Sequence, residues 1–339
     1  MLNSIAFVWV AFFICLVLIA FAGSKLSQYG DIIADKTGLG GTWVGLVMLG
    51  AITSLPELVT GISSVTLAQT PEIAAGDVLG SCVFNLLIIV VIDFLHRKES
   101  IYRLTSQGHI LSAGFGVMLI GFAGFSILLA HSGTYFRVFH MNAASFVIIL
   151  MYLIAMRTLF RYETSQIAAF TEKEPDRYPG MTLKQAVTRY IGASVLVVAT
   201  GSMLPFIAKA IALHMGWHES FVGTLFVAMI TSLPELVVTF AAIRLGALDM
   251  AIGNLLGSNL FNIMILAIDD IFYLKGPLLA NISVNHAVSA LSAVMMTGMA
   301  IIGLFYRPRS RVLKTVGWVS IALFSIYLLN TYVQYMYHE

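Results

Sequence analysis

The chain has 339 residues, of which 59% are hydrophobic and 11% charged, with a formal net charge of +2 and a mean hydropathy of +0.90. Soluble domains carry about 45–50% apolar and about 25% charged residues. A soluble enzyme, a nucleic-acid-binding domain and a disordered segment are therefore excluded in favour of an all-α polytopic membrane protein. The two cysteines, Cys15 and Cys82, have neither metal-ligand spacing nor a disulfide framework and read as small core residues.

A spanning helix needs roughly 17–25 apolar residues, and the sequence predicts ten. Span 1 runs from Ile5 into Gly23-Ser24, its helix continuing through Ile33. Its apolar run lacks a basic n-region and a cleavage site, so it reads as a span and not as a removed signal peptide. Span 2 covers Trp43 to Leu67, span 3 Ile73 to Leu95, span 4 His109 to Ala130 and span 5 Asn142 to Phe160. The sizeable hydrophilic stretch, Arg161 to Arg189, follows and reads as a solvated loop too short for a regulatory domain. Span 6 covers Tyr190 to Leu213, span 7 Phe221 to Ile243, span 8 Met250 to Leu274, span 9 His286 to Phe305 and span 10 Val316 to Tyr335.

Spans 2 and 7 contain one string twice: Ile52-Thr53-Ser54-Leu55-Pro56-Glu57-Leu58-Val59 and Ile230-Thr231-Ser232-Leu233-Pro234-Glu235-Leu236-Val237. An ionised side chain at bilayer depth costs about 2.5–3.5 kcal/mol on insertion scales and marks a functional position. Proline removes a backbone donor and frees a carbonyl, which a membrane tolerates only where protein, water or an ion satisfies it. Hydroxyls, freed carbonyls and a glutamate in each of two broken helices describe a cation site.

The repeat reaches further. At the same offset Gly23-Ser24 matches Gly201-Ser202, and Val44-Gly45 matches Val222-Gly223. After one residue of slippage Gly80-Ser81 and Phe84-Asn85 match Gly257-Ser258 and Phe261-Asn262, and Asp93 matches Asp270. The chain thus divides into a first five-helix repeat (1–162), a linker loop (163–189) and a second repeat (190–339). Five is odd, so equivalent helices cross the membrane in opposite directions. That is the inverted repeat of secondary transporters, with a site where discontinuous helices meet at the midplane; a passive channel or a receptor needs no such inversion. Placing both termini outside and the central loop in the cytoplasm leaves only Arg137, Lys209 and Lys275 of the 19 basic residues outside, as the positive-inside rule asks.

The paired strings, with Gly76-Asp77-Val78-Leu79-Gly80-Ser81 and Gly253-Asn254-Leu255-Leu256-Gly257-Ser258-Asn259, resemble the two α-repeats of sodium/calcium exchangers, in the cation/calcium antiporter superfamily. The resemblance covers essentially the whole chain. It implies a ten-helix antiporter with broken helices 2, 3, 7 and 8 as the core and spans 1 and 6 sliding against it. It implies transported Ca²⁺ and Na⁺ with no organic cofactor, no obligatory protein partner, and a prokaryotic inner or plasma membrane. Ligand positions of the family fall on Thr53, Ser54, Glu57, Ser81 and Asn85, and on Thr231, Ser232, Glu235, Ser258 and Asn262, with backbone carbonyls at Gly50 and Ala228 completing the sodium sites. Independently, Ca²⁺ takes six to eight oxygens with carboxylates among them, and Ser81/Asn85 and Ser258/Asn262 each share a helix face at a spacing of four. A proton-driven Ca²⁺ antiporter is the alternative.

Two positions depart from the pattern. Asn262 stands where some exchangers carry aspartate, and Asp77 stands where asparagine is usual. Asp77 is either an extra carboxylate of an external vestibule or an acid capping the second half of span 3. Asp93 is expected to pair with Arg97 four residues on, in a structural role. The histidines, His109 and His286 included, lack ligand spacing and are expected at interfaces or in the core.

Overall fold

The computed structural model describes residues 4–37, 50–96, 99–167, 178, 180–244, 246–308, 311–312 and 316–336. The beginning of span 2 with Val44-Gly45, the Arg97 expected beside Asp93, and most of the central loop lie outside the described residues.

In chain order the helices are α1 (Ile5–Lys36), α2 (Leu55–Ser63, prolonged by a π-helical turn Ser64–Ala68), α3 (Pro71–Leu95), α4 (Ile101–Leu104), α5 (His109–His131) and α6 (Ala143–Ile167). The second half repeats the order with α7 (Leu183–Met215), α8 (Glu219–Val222), a π-helical turn Gly223–Val227, α9 (Ala228–Thr231), α10 (Leu233–Arg244), α11 (Leu248–Phe272), α12 (Asn285–Tyr306) and α13 (Trp318–Met336). Eight helices among the described residues are long and apolar enough to cross a membrane, and nine if the bent pair Glu219–Thr231 and Leu233–Arg244 counts as one span.

Three expectations need correction. Spans 3 and 8, expected to be interrupted, run as single helices, α3 and α11. Beyond Pro71 in the first turn of α3 neither contains a proline, and their internal glycines cost helix propensity without removing a donor. The central loop is shorter than its charges suggest, because α7 starts at Leu183. A capping box starts it: Thr182 Oγ1 accepts from the Gln185 amide and Gln185 Oε1 from the Thr182 amide. Finally, each half holds a two-residue hairpin that no hydropathy pattern announced. β1 (Arg137–Val138) pairs antiparallel with β2 (Met141–Asn142) before α6, and β3 (Arg311–Val312) with β4 (Val316–Gly317) before α13.

The core centres on α3 and α11, the most buried of the spans. Their apolar cluster, with Leu79, Leu86, Ile89, Leu255 and Ile263, extends into α5, α12 and α13 through Ile120, Ala290 and Leu323. A second cluster joins α1 to α7 and α8 through Val8, Phe12, Ile19, Ile207, Ile211 and Phe221. α3 and α11 meet at Cys82 and Asn259, which are equivalent residues of the two halves. Asn259 Nδ2 donates to Cys82 O at 3.1 Å, and Asn85 Nδ2 to Asn259 Oδ1 at 3.0 Å.

Four acids then fasten the surrounding helices, each reaching into the opposite half. At the end of α3, Asp93 accepts from the amides of Ile101 (3.4 Å) and Gly317 (2.9 Å) and from Ser320 Oγ (2.8 Å). At the end of α11, Asp270 accepts in the same pattern from Leu278 (2.6 Å), Asn142 (2.8 Å) and Ser145 Oγ (2.5 Å). At the starts of these two helices, Glu72 bonds His286 Nε2 and the Ser283 amide, both at 2.7 Å, while Asp249 bonds His109 Nε2 at 3.0 Å and the Ser106 amide at 2.6 Å. Asp93 is thus structural, as expected, through backbone amides. The two histidines are buried and sit at the helix starts as expected, each paired with an acid from the other half.

Candidate ion-binding site

Each string bends its helix at the serine. Ser54 has φ −85° and ψ 15°, and Ser232 φ −82° and ψ 7°, so both leave helical geometry just before a proline enters the first turn of the next segment. In the second half the two segments meet at 42°. Pro56 and Pro234 have no amide hydrogen, so Ile52 and Ile230 lose the donor that would close the preceding turn. α1 and α7 cover these bends. A side chain at Gly23 would place its Cβ 2.9 Å from Pro234 Cβ, so only glycine lets α1 approach the bend so closely.

The strings face one another and exchange hydrogen bonds reciprocally. Ser54 Oγ donates to Glu235 Oε1 at 2.9 Å, and Ser232 Oγ to Glu57 Oε1 at 3.1 Å. The threonines follow the same relation. Thr53 Oγ1 lies 3.2 Å from Ser258 Oγ, 3.1 Å from Gly50 O and 3.4 Å from Asn254 Oδ1. Thr231 Oγ1 lies 3.4 Å from Ser81 Oγ and 3.3 Å from Ala228 O, and donates to Asp77 Oδ1 at 2.7 Å. The sequence-predicted residues Thr53, Ser54, Glu57, Ser81, Asn85, Thr231, Ser232, Glu235, Ser258, Asn262 and Asp77 are all fully buried.

Asp77 is neither in a vestibule nor a cap. It lies within the continuous helix α3, fully buried, at the position that Asn254 occupies in α11. Nor is it isolated, since it meets the Thr231 hydroxyl as Asn254 meets Thr53.

Oxygen atoms are left over at this centre. Glu57 Oε2, Glu235 Oε2, Asp77 Oδ2, Asn85 Oδ1 and Asn262 Oδ1 are buried and have no hydrogen-bond partner among the described residues. Buried polar atoms are normally paired, and a carboxylate stripped of water and partners is costly, so this set is suited to a cation that supplies the missing contacts. No three His, Cys, Asp or Glu side chains converge on a point among the described residues. Any ion here is therefore completed by hydroxyl, amide and backbone oxygens, which suit hard cations.

The family described as sodium/calcium exchanger protein matches residues 7–168 and 186–336, nearly the whole chain. The chain belongs to the sodium/calcium exchanger family. Among curated relatives, the sodium/calcium exchanger MaX1 of Methanosarcina acetivorans is 28% identical over 71% of this chain and 76% of its own. The inner membrane protein YrbG of Escherichia coli is 24% identical over 74% and 75% respectively. Among solved structures, the sodium-calcium exchanger NCX_Mj soaked with 100 mM Na⁺ and 10 mM Sr²⁺ superposes with a TM-score of 0.62 at 21% identity, over 96% of this chain and 98% of that one. Native YfkE superposes at 0.64 with 18% identity, over 96% and 92%. The structural likenesses establish the fold, and membership of the family makes the chain an integral membrane transporter.

Sequence reading missed three residues of this region. Asn259, which ties α3 to α11, follows Ser258 directly and is set apart only by its amide. Asn254 lies within the second glycine-serine motif, and nothing along the chain marks it as a partner of Thr53. Asp269 was passed over because Asp270 beside it supplied the counterpart of Asp93.

Proposed function

We propose that the chain is a secondary active antiporter that exchanges Na⁺ for Ca²⁺ by alternating access, with the ions held between the two Thr-Ser-Leu-Pro-Glu strings at the membrane midplane. The reciprocal pair Ser54–Glu235 and Ser232–Glu57 carries the reading. It engages one oxygen of each glutamate and leaves the other buried without a hydrogen-bond partner among the described residues. Glu57 and Glu235, with the amide oxygens of Asn85 and Asn262, are the Ca²⁺ ligands in this proposal. The hydroxyls of Thr53, Ser54, Ser81, Thr231, Ser232 and Ser258 and the carbonyls of Gly50 and Ala228 serve Na⁺, and Asp77 adds a third carboxylate.

The proposal includes ten spans, the tenth being span 2 begun near Trp43 and bent at Ser54. The two five-helix repeats, 1–162 and 190–339, are inverted about the segment 163–189, whose ends continue α6 and begin α7. Both termini lie outside a prokaryotic inner or plasma membrane, with the linker in the cytoplasm. The test is ⁴⁵Ca²⁺ uptake into proteoliposomes driven separately by a sodium and a proton gradient. Uptake under the sodium gradient is expected. Uptake under the proton gradient alone would replace the reading with Ca²⁺/H⁺ antiport.

A further inference from the structure

Asp269 lies near the end of α11, fully buried, and neither of its carboxyl oxygens has a hydrogen-bond partner among the described residues. Its carboxyl rests against the backbone of α2 at Gly61, where an added Cβ would lie 2.7 Å from Oδ1. With no side chain at Gly61, the carboxyl meets the helix backbone itself. Inside a helix the amides are spent on carbonyls one turn back, whereas each carbonyl keeps a second lone pair. The amide of Ser64, for one, goes to Gly61 O and Thr60 O. The backbone at Gly61 therefore accepts from a neutral acid and has nothing to donate to a carboxylate.

No structural tie explains the acid. Asp270 has its counterpart in Asp93, and both fasten helices. The counterpart of Asp269 is Ile92, an apolar core residue, so the fold itself does not require a carboxyl here. An ionised carboxylate stripped of water and partners is costly, and such a group takes up a proton instead. A metal ion would be the other means of neutralising it. No hydroxyl reaches Asp269, however, and no three His, Cys, Asp or Glu side chains converge on a point among the described residues. The several oxygens that a hard cation needs are gathered at the paired strings and not here.

We propose that Asp269 is a proton-binding site, carried as the neutral acid in this arrangement and donating to a backbone carbonyl of α2 beside Gly61. Gly61 follows Glu57 by four residues, so it lies on the same helix face one turn further on. Release of the proton leaves a carboxylate against carbonyl oxygens and pushes α2, with Glu57 on it, away from α11. The proton is thus a ligand that sets where Glu57 stands, separate from the ions held between the strings. The charged groups on the packed elements do not replace it. Asp77 of α3 and Asp270 of α11 carry the same sign. Glu57 of α2 and Glu235 of α10 are engaged by Ser232 and Ser54. His140, before α6, turns to Ile271 O at 2.8 Å, and His131 of α5 to Ile127 O at 3.1 Å.

The test is infrared spectroscopy of the purified full-length chain in detergent, wild type against Asp269→Asn. A carboxylic acid has a carbonyl stretch that carboxylates and amides lack, so the comparison at neutral pH is expected to show one acid band lost in the variant. Asp269→Glu, which keeps an acid, should keep a displaced band, and NaCl or CaCl₂ should leave the wild-type band in place. No acid band lost, or a band abolished by either salt, overturns the assignment. The second measurement is the pH profile of sodium-driven ⁴⁵Ca²⁺ uptake. Relative to its own value at neutral pH, wild-type uptake should fall about fivefold once the acid band is titrated away, the scale of one lost buried hydrogen bond. The same ratio should stay near unity in Asp269→Asn, whose amide still donates to the carbonyl and carries no titrating proton. An equal fall in both proteins overturns the link to Glu57. The inference needs no particular exchanged ion: a wild type without sodium-driven uptake removes the antiport reading alone, because the infrared band decides the proton site by itself.

Discussion

Replacing Glu57 by glutamine keeps the oxygen that accepts from Ser232 and turns the unpartnered one into an amide nitrogen. The shape of the site is retained and one carboxylate charge of the glutamate pair is lost. Removing one partner of a buried ionic contact costs about 3–5 kcal/mol. At about 1.4 kcal/mol per factor of ten, Ca²⁺ binding should weaken by roughly two to three and a half orders of magnitude, which at transport concentrations abolishes exchange. Glu235 stands in the equivalent geometry, with Ser54 at 2.9 Å against 3.1 Å for Ser232 on Glu57. Glu235→Gln should therefore lose a comparable amount, and a large inequality between the two variants would mean that the halves do not share the ion. ⁴⁵Ca²⁺ uptake by reconstituted protein, normalised to the monodisperse fraction, measures the effect. Near-wild-type uptake by either variant refutes the assignment of the paired strings as the Ca²⁺ site.

The double substitution Ser54→Ala and Ser232→Ala removes both reciprocal donors, each a hydrogen bond to a charged group worth about 1.5–3 kcal/mol. Sodium activation of transport should weaken at least as much as calcium binding, and an unchanged sodium dependence with weakened calcium binding would favour proton coupling. Asp77→Asn makes α3 match α11 at this position and leaves only the two glutamates in the paired motifs. Calcium flux at valinomycin-clamped potentials should then lose part of its voltage dependence, each net charge moved being worth about 2.3 kcal/mol per 100 mV; voltage-dependent flux untouched by the substitution would show that Asp77 does not carry the extra charge. Asp93→Asn and Asp270→Asn each weaken a carboxylate held by two amides and a hydroxyl, at about 1.5–3 kcal/mol per charged bond. Both should lower the melting temperature in detergent by similar amounts, and a variant as stable as wild type would contradict the fastening role.

The exchanger architecture was legible because its signals are local and doubled: two identical strings, and glycine-serine pairs at an offset that slips by only one residue, point to the family. Legibility failed where position depends on the partner helix. Asp77 read as a terminal acid because it is only six residues from Pro71. It is fully buried, and its hydroxyl partner Thr231 lies in the other half of the chain, invisible to any pattern along α3. The same holds for His109 and His286, which lack ligand spacing along the chain yet each meet an acid of the opposite half. Asp269 shows the opposite failure. A doublet of acids offers two candidates for one counterpart, and only the hydrogen bonds reveal that Asp270 fastens helices while Asp269 has nothing to hold. The interrupted helices 3 and 8 that the resemblance implies are continuous as α3 and α11, because a break needs the missing donor that Pro56 and Pro234 supply.

How the helices are fastened bears on what can move. A buried acid must keep its partners in every state the protein visits, since losing them costs several kcal/mol. Asp93 and Asp270, both buried, therefore bind α3 to α13 and α11 to α6, while the more exposed Glu72 and Asp249 add ties to the buried His286 and His109 of α12 and α5. α1 and α7 are held in another way. They pack against each other and over the bent strings through apolar side chains such as Phe12, Ile19 and Ile207. Two polar ties from α7 to the first half are long, Thr60 Oγ1 to Gly201 O at 3.4 Å and Lys209 Nζ to Ala68 O at 3.5 Å. Sliding an apolar face exchanges one set of dispersion contacts for another of similar worth, with no buried charge exposed on the way. In the alternating access proposed above, displacement of α1 and α7 over the bends at Ser54 and Ser232 would expose no buried charge of α3 or α11, and it would act at the strings that carry the unpartnered glutamate oxygens.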